Sequence, residues 1–133
     1  MQRKILVVDD DPDILDALTM ILESKGYQVI TARDGIEALA KLEAEMPNLM
    51  ILDLLMPKMD GFAVYKELQD PKWSKHQNMP ILILTSVREE ASRRRYELET
   101  GTELGVDDYI EKPFPPDVLL ERVGRLVKKK QKV

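Results

Sequence analysis

The feature that most limits what this chain can become is a strict alternation. Short apolar, β-branched runs give way, one after another, to segments with helical spacing. Ile5-Leu6-Val7-Val8 reads as a strand buried on both faces. Asp11 and Pro12 then open a helix as N-cap and first helical residue, Ile14, Leu15, Leu18, Ile21 and Leu22 follow at helical spacing, and Gly26 ends it. Tyr27 to Ala32 is a more polar strand, suited to a sheet edge. Asp34 to Glu37 forms a capping box for a helix that carries Ala38, Leu39 and Leu42 and stops before Pro47. Leu49-Met50-Ile51-Leu52 is the third strand, ending at Asp53. A short helix with Phe62, Tyr65 and Leu68 follows Gly61, and Ile81-Leu82-Ile83-Leu84 is the fourth strand, ending at Thr85. A charged helix over about Glu89 to Glu99, a short strand at Tyr109-Ile110 and a last helix with Val118, Leu119, Val123, Leu126 and Val127 complete the series. Such alternation predicts a parallel sheet with helices on both faces, and right-handed crossovers leave few ways to arrange it.

The chain has 133 residues, enough for one domain with a real core. We expect that domain over residues 1–127, with a basic tail over 128–133. Charged residues make up 33% and hydrophobic residues 44%, which argues against a disordered chain. The net charge of −4 argues against a nucleic-acid surface spread over the domain. With no cysteine, thiol catalysis, disulfides and cysteine-ligated metals are excluded. No apolar run approaches the ~20 residues of a membrane span, and the early strand leaves no room for a signal peptide. The expectation is a cytoplasmic protein without membrane insertion.

Ligands of open parallel sheets bind at the carboxyl ends of the strands. The residues there are Asp9, Asp10, Asp53, Thr85 and Lys112. Carboxylates gathered at one edge repel, and a bound divalent cation offsets that repulsion. An all-oxygen set without His or Cys suits Mg²⁺, with Mn²⁺ as an alternative. A carboxylate is a competent nucleophile towards phosphorus, and a metal, a lysine and a threonine can stabilise charge on a phosphoryl group in transfer.

Taken in order, Ile5-Leu6-Val7-Val8-Asp9-Asp10, Asp53-Leu54-Leu55-Met56-Pro57-Lys58-Met59-Asp60-Gly61, Ile83-Leu84-Thr85-Ser86 and Asp108-Tyr109-Ile110-Glu111-Lys112-Pro113-Phe114 resemble the receiver domains of two-component response regulators, including the single-domain chemotaxis type. The resemblance spans about Lys4 to Val127. It implies a flavodoxin-like, doubly wound α/β fold with a five-stranded parallel sheet in the order 2-1-3-4-5. It also implies that Asp53 is the phosphoacceptor. Asp10 would ligate Mg²⁺ directly, Asp9 would assist through water, and the Leu55 backbone carbonyl would join them. Thr85 would bond the phosphoryl oxygen, Lys112 would pair with Asp53 or its phosphate, and Tyr109 would be the rotameric switch. A cis Lys112-Pro113 peptide belongs to the same pattern.

The implied function is Mg-dependent phosphoryl transfer from a sensor histidine kinase or a histidine phosphotransfer protein. The chain would be a signalling phosphoacceptor, catalysing only its own phosphorylation and dephosphorylation and not otherwise an enzyme. Output would be through a downstream protein target, without direct nucleic-acid contact, by a monomer or a phosphorylation-dependent dimer. Two alternatives come from other classes. A Mg²⁺-dependent phosphohydrolase would want a second acid two residues after its nucleophile, where Leu55 stands. A phosphate-independent interaction module would have no use for the complete acid, threonine and lysine set.

Set apart from the site are Asp107-Asp108, at the entry of the last strand, and His76, expected on the surface of a loop. Arg93-Arg94-Arg95 is expected to be a solvated helix face. The connections from Leu68 to Pro80 and around Thr100-Gly101-Thr102-Glu103-Leu104 look long for the family. Leu55 and Val87 occupy positions that flank the path of the hydrolytic water in the family. Both are apolar, which predicts slow loss of the phosphoryl group.

Overall fold

The computed structural model describes residues 3–101 and 103–129. Its elements follow in strict alternation: β1 (Lys4–Val8), α1 (Pro12–Glu23), β2 (Gln28–Ala32), α2 (Gly35–Glu45), β3 (Leu49–Asp53), α3 (Gly61–Leu68), a 3-10 helix (Pro71–His76), β4 (Ile81–Thr85), α4 (Val87–Thr100), β5 (Asp108–Glu111) and α5 (Pro116–Lys129). All strands are parallel, in the order β2-β1-β3-β4-β5. The edges are β2 and β5, the least buried of the five strands.

Alternate residues of the central strands feed two cores, because side chains along a strand point to opposite faces. Ile5, Val7, Ile51, Leu82 and Leu84 pack against Leu15, Leu18 and Leu22 of α1 and Leu119 and Val123 of α5. Leu6, Val8, Met50, Leu52 and Ile83 pack against Ala38 and Leu42 of α2 and Val64 and Leu68 of α3. Capping places the helix starts. Asp11 Oδ1 accepts from the Asp13 N–H at 2.9 Å, and Asp60 Oδ1 accepts from the Ala63 N–H at 2.9 Å. Asp34 accepts from Glu37 N–H at 2.9 Å, while Glu37 reaches back to the Arg33 N–H at 2.7 Å. The Lys112-Pro113 peptide is cis.

Several expectations are corrected. His76 is not on the surface. It closes the 3-10 helix, is 7% exposed and lies against the Trp73 ring at 5.8 Å, because the Leu68–Pro80 connection folds onto the domain instead of looping out. Arg93 is not part of a solvated face. It pairs with Glu90 and Glu97 and lies over the Tyr109 ring at 4.9 Å, whereas Arg94 and Arg95 are exposed. Leu104 and Gly105 are held to the domain as well. Leu104 is buried in the second core, its N–H donates to Glu97 at 3.1 Å, and the Gly105 N–H donates to the Tyr65 hydroxyl at 2.8 Å. Thr102 lies outside the described residues. Lys128 and Lys129 continue α5, and residues 130–133 fall outside the described part. Among the described residues, no helix is long and apolar enough to cross a membrane.

Candidate functional site

The carboxyl ends of β1, β3 and β5 open into a cleft of about 560 Å³ lined by Asp9, Asp10, Asp53, Leu55, Glu89 and Lys112, among others. Asp9 is 1% exposed and pinned on both sides. Its N–H donates to the Ala32 carbonyl at 3.1 Å, and its Oδ1 accepts from the Asp11 N–H at 2.9 Å. Asp10 is exposed at the rim. Asp53 is the last residue of β3 and 2% exposed. The loop behind it closes tightly: the Gly61 N–H donates to Leu54 O at 2.9 Å, and a Cβ at Gly61 would lie 2.5 Å from Asp53 O. Only glycine fits that approach.

Lys112 follows β5, and its N–H donates to Thr85 O at 2.6 Å. Its Nζ lies 3.2 Å from Asp9 Oδ2, 3.4 Å from Asp53 Oδ1 and 3.3 Å from Glu89 Oε1. Burial pushes the Asp53 carboxyl up to about 7, and the Glu89 carboxyl beside it adds to the rise; Lys112 and the Leu55 backbone oppose it. Burial likewise raises Asp9 to about 6, against the Asp11 N–H. Burial disfavours charge on Lys112, but Asp53, Asp9 and Glu89 outweigh it and hold its pKa above the ordinary lysine value.

Carboxylate oxygens of Asp9, Asp10 and Asp53 lie within 4.8 Å of one another. Asp53 Oδ1 is buried without a hydrogen-bond partner. An all-oxygen, anionic set with an unpartnered oxygen fits a hard divalent cation. Leu55 lines the same cleft.

Three expected residues stand elsewhere. Thr85 is buried at the end of β4 but lines a neighbouring cavity, with Val87, Arg94, Leu98 and Glu111. Val87 is 82% exposed and also lines that cavity, so it does not flank the acidic cleft in this structure. Tyr109 is half-buried on β5, packed against the second core under Arg93. Asp107 and Asp108 are staples away from the cleft: Asp107 Oδ1 accepts from Ile81 N–H at 3.0 Å, and Asp108 pairs with Arg122 at 3.2 Å.

Glu89 is the site residue that sequence reasoning missed. The available signal was Ser86-x-x-Glu89, a capping-box pattern directly after the fourth strand. Ser86 does cap α4, its Oγ accepting from the Glu89 N–H at 3.3 Å, but the Glu89 carboxylate turns to Lys112.

The response regulator receiver domain family matches residues 5–124. The chain is 44% identical over 131 residues to the alkaline phosphatase synthesis transcriptional regulatory protein PhoP of Bacillus subtilis, covering 98% of this chain and 51% of that protein. It is 44% identical over 128 residues to the probable transcriptional regulator ycf27 of Cyanophora paradoxa, covering 96% and 49%. Among solved structures, the chemotaxis protein CheY4 of Vibrio cholerae superposes with a TM-score of 0.79 at 32% identity, covering 95% of this chain and 99% of that one. A single conclusion follows for the class: the chain belongs to the response regulator receiver domain family, with that family's doubly wound, flavodoxin-like fold. It spans about half the length of the two transcriptional regulators named here.

Proposed function

We propose that Asp53 accepts a phosphoryl group, and that Asp9, Asp10, Asp53 and the Leu55 carbonyl hold the Mg²⁺ that the family's reaction uses. The observation that carries this reading is the placement of Lys112 Nζ within 3.4 Å of both Asp9 and Asp53, at the ends of different strands. A divalent cation supplies charge neutralisation at this edge when bound. An Asp53 carboxylate oxygen attacks phosphorus as the bond from phosphorus to the donor's nitrogen or oxygen breaks, and the leaving atom takes the electron pair of that bond. Lys112 balances charge on the transferred oxygens, and Thr85 offers its hydroxyl to them once it turns from the adjacent cavity. Phosphorylation adds roughly 1.5–2 negative charges. That charge shifts an existing equilibrium of the β4-α4-β5 region, with Thr85 and Tyr109 as the moving side chains.

The donor is a histidine kinase or a histidine phosphotransfer protein, and the readout is contact with a downstream protein. The test is intact mass after incubation with acetyl phosphate and Mg²⁺. One phosphoryl adduct, lost with EDTA and in Asp53→Ala, is the expected result; no adduct with any donor, kinase included, refutes the reading.

A further inference from the structure

Among the residues of α4, Glu89 alone is buried, and it is an acid. Its side chain is 9% exposed. One oxygen faces Lys112 Nζ at 3.3 Å; the other, Oε2, is buried with no hydrogen-bond partner. A carboxylate buried with an unpartnered oxygen is costly, so something must hold it there. Lys112 does so, and the same ammonium serves Asp53 and Asp9. Asp53 Oδ1, on the other side of Lys112, is also buried without a partner. Three acidic side chains, Asp9, Asp53 and Glu89, thus share one cation at the floor of the cleft.

A phosphoryl group on Asp53 brings its own oxygens to that ammonium. Glu89 and the new group cannot both keep Lys112, since like charges so close repel. Glu89 is the partner free to leave. It sits on the first turn of α4, whose neighbouring Val87 is 82% exposed, while Asp9 and Asp53 are fixed at strand ends.

We propose that Glu89 is a positioning residue of the acceptor site: its carboxylate occupies the anion position beside Lys112 and must withdraw, moving the first turn of α4, before a phosphoryl group is held there. This rests on the phosphoacceptor reading and adds to it an internal competitor that sets how readily the site takes an anion. It also gives α4 a direct connection to the state of Asp53.

The test is calorimetric titration of the wild-type chain and Glu89→Gln, first with Mg²⁺ alone, then with beryllofluoride at saturating Mg²⁺ as a stand-in for the phosphoryl group. Glu89→Gln should bind beryllofluoride about tenfold more tightly, equivalent to about 1.4 kcal/mol, and bind Mg²⁺ more weakly, because a negative charge has left the cleft. These changes have opposite signs, whereas loss of a merely structural contact weakens both. Amide exchange in the wild type gives a readout independent of the variant: protection at residues 87–90 should fall when beryllofluoride binds. Wild-type binding with unchanged Glu89→Gln affinities, or unchanged exchange at 87–90, overturns the proposal and leaves the phosphoacceptor reading standing. A wild type that takes neither beryllofluoride nor a phosphoryl group overturns both.

Discussion

Lys112 Nζ stands 3.4 Å from Asp53 Oδ1, yet that oxygen has no hydrogen-bond partner. The lysine is shared among Asp9, Asp53 and Glu89, so none of them is fully compensated. The cleft is built to be completed by something else, and its stability should depend on charge. Lys112→Met removes the shared cation and should cost about 3 kcal/mol at pH 7.5, the low end for breaking a buried pair because Lys112 is 18% exposed. Urea unfolding checks it. The loss should shrink at pH 5, where protons neutralise Asp53 and Asp9, whose carboxyls stand at about 7 and about 6.

Asp53 itself should carry a pH signature. Its folded pKa of about 7 lies above the ordinary 3.8. Between those values the folded protein keeps a proton that the unfolded chain has lost. The group's contribution therefore falls as pH rises from about 4 to about 7, and stays low above that. Asp53→Asn has no such dependence. The variant should match the wild type near pH 4 and exceed it by a few kcal/mol at pH 7.5, and Mg²⁺ should narrow the gap by binding the wild-type carboxylate. A gap that does not change with pH would sink this account.

Leu55 lines the cleft and offers no side-chain hydrogen bond to an incoming water. Leu55→Asn should place a polar amide there and speed loss of the phosphoryl group by about tenfold, equivalent to about 1.4 kcal/mol off the barrier. The decay of the phosphorylated mass peak after donor removal measures it. Val87→Glu should act more weakly, since Val87 faces the neighbouring cavity.

The loop behind Asp53 leaves no room for a methyl group at Gly61, 2.5 Å from Asp53 O. Gly61→Ala should destabilise the fold by about 1–3 kcal/mol through overpacking. It should also lower the extent of phosphorylation, because the backbone that must yield carries the acceptor. Normal stability together with normal phosphorylation would contradict that close approach.

Much of this protein could be read along the chain. Apolar runs five residues or fewer, separated by capped helical segments, admit little besides a parallel sheet covered on both faces, and Asp11 and Asp34 announced their helices. Asp9, Asp10, Asp53 and Lys112 were legible for the same reason: each lies at or within two residues of a strand's carboxyl end, and parallel strands all deliver those ends to one edge. Placement on α4 was not legible. That helix has no continuous apolar face to fix its rotation. At 3.6 residues per turn, Val87 and Glu89 point about 200° apart, so only one can face the cleft. Packing of Tyr96 on Phe62 and of Arg93 over Tyr109 accompanies the phase that turns Glu89 inward and Val87 outward. His76 is a parallel case, polar in a polar stretch, yet buried once the 3-10 helix closes on the domain. The sequence by itself determined the order of the strands' chemistry, because period-2 and strand-end positions are local properties. Only the tertiary structure decided which helix residue meets Lys112, because helix rotation is set by contacts between segments distant in the chain.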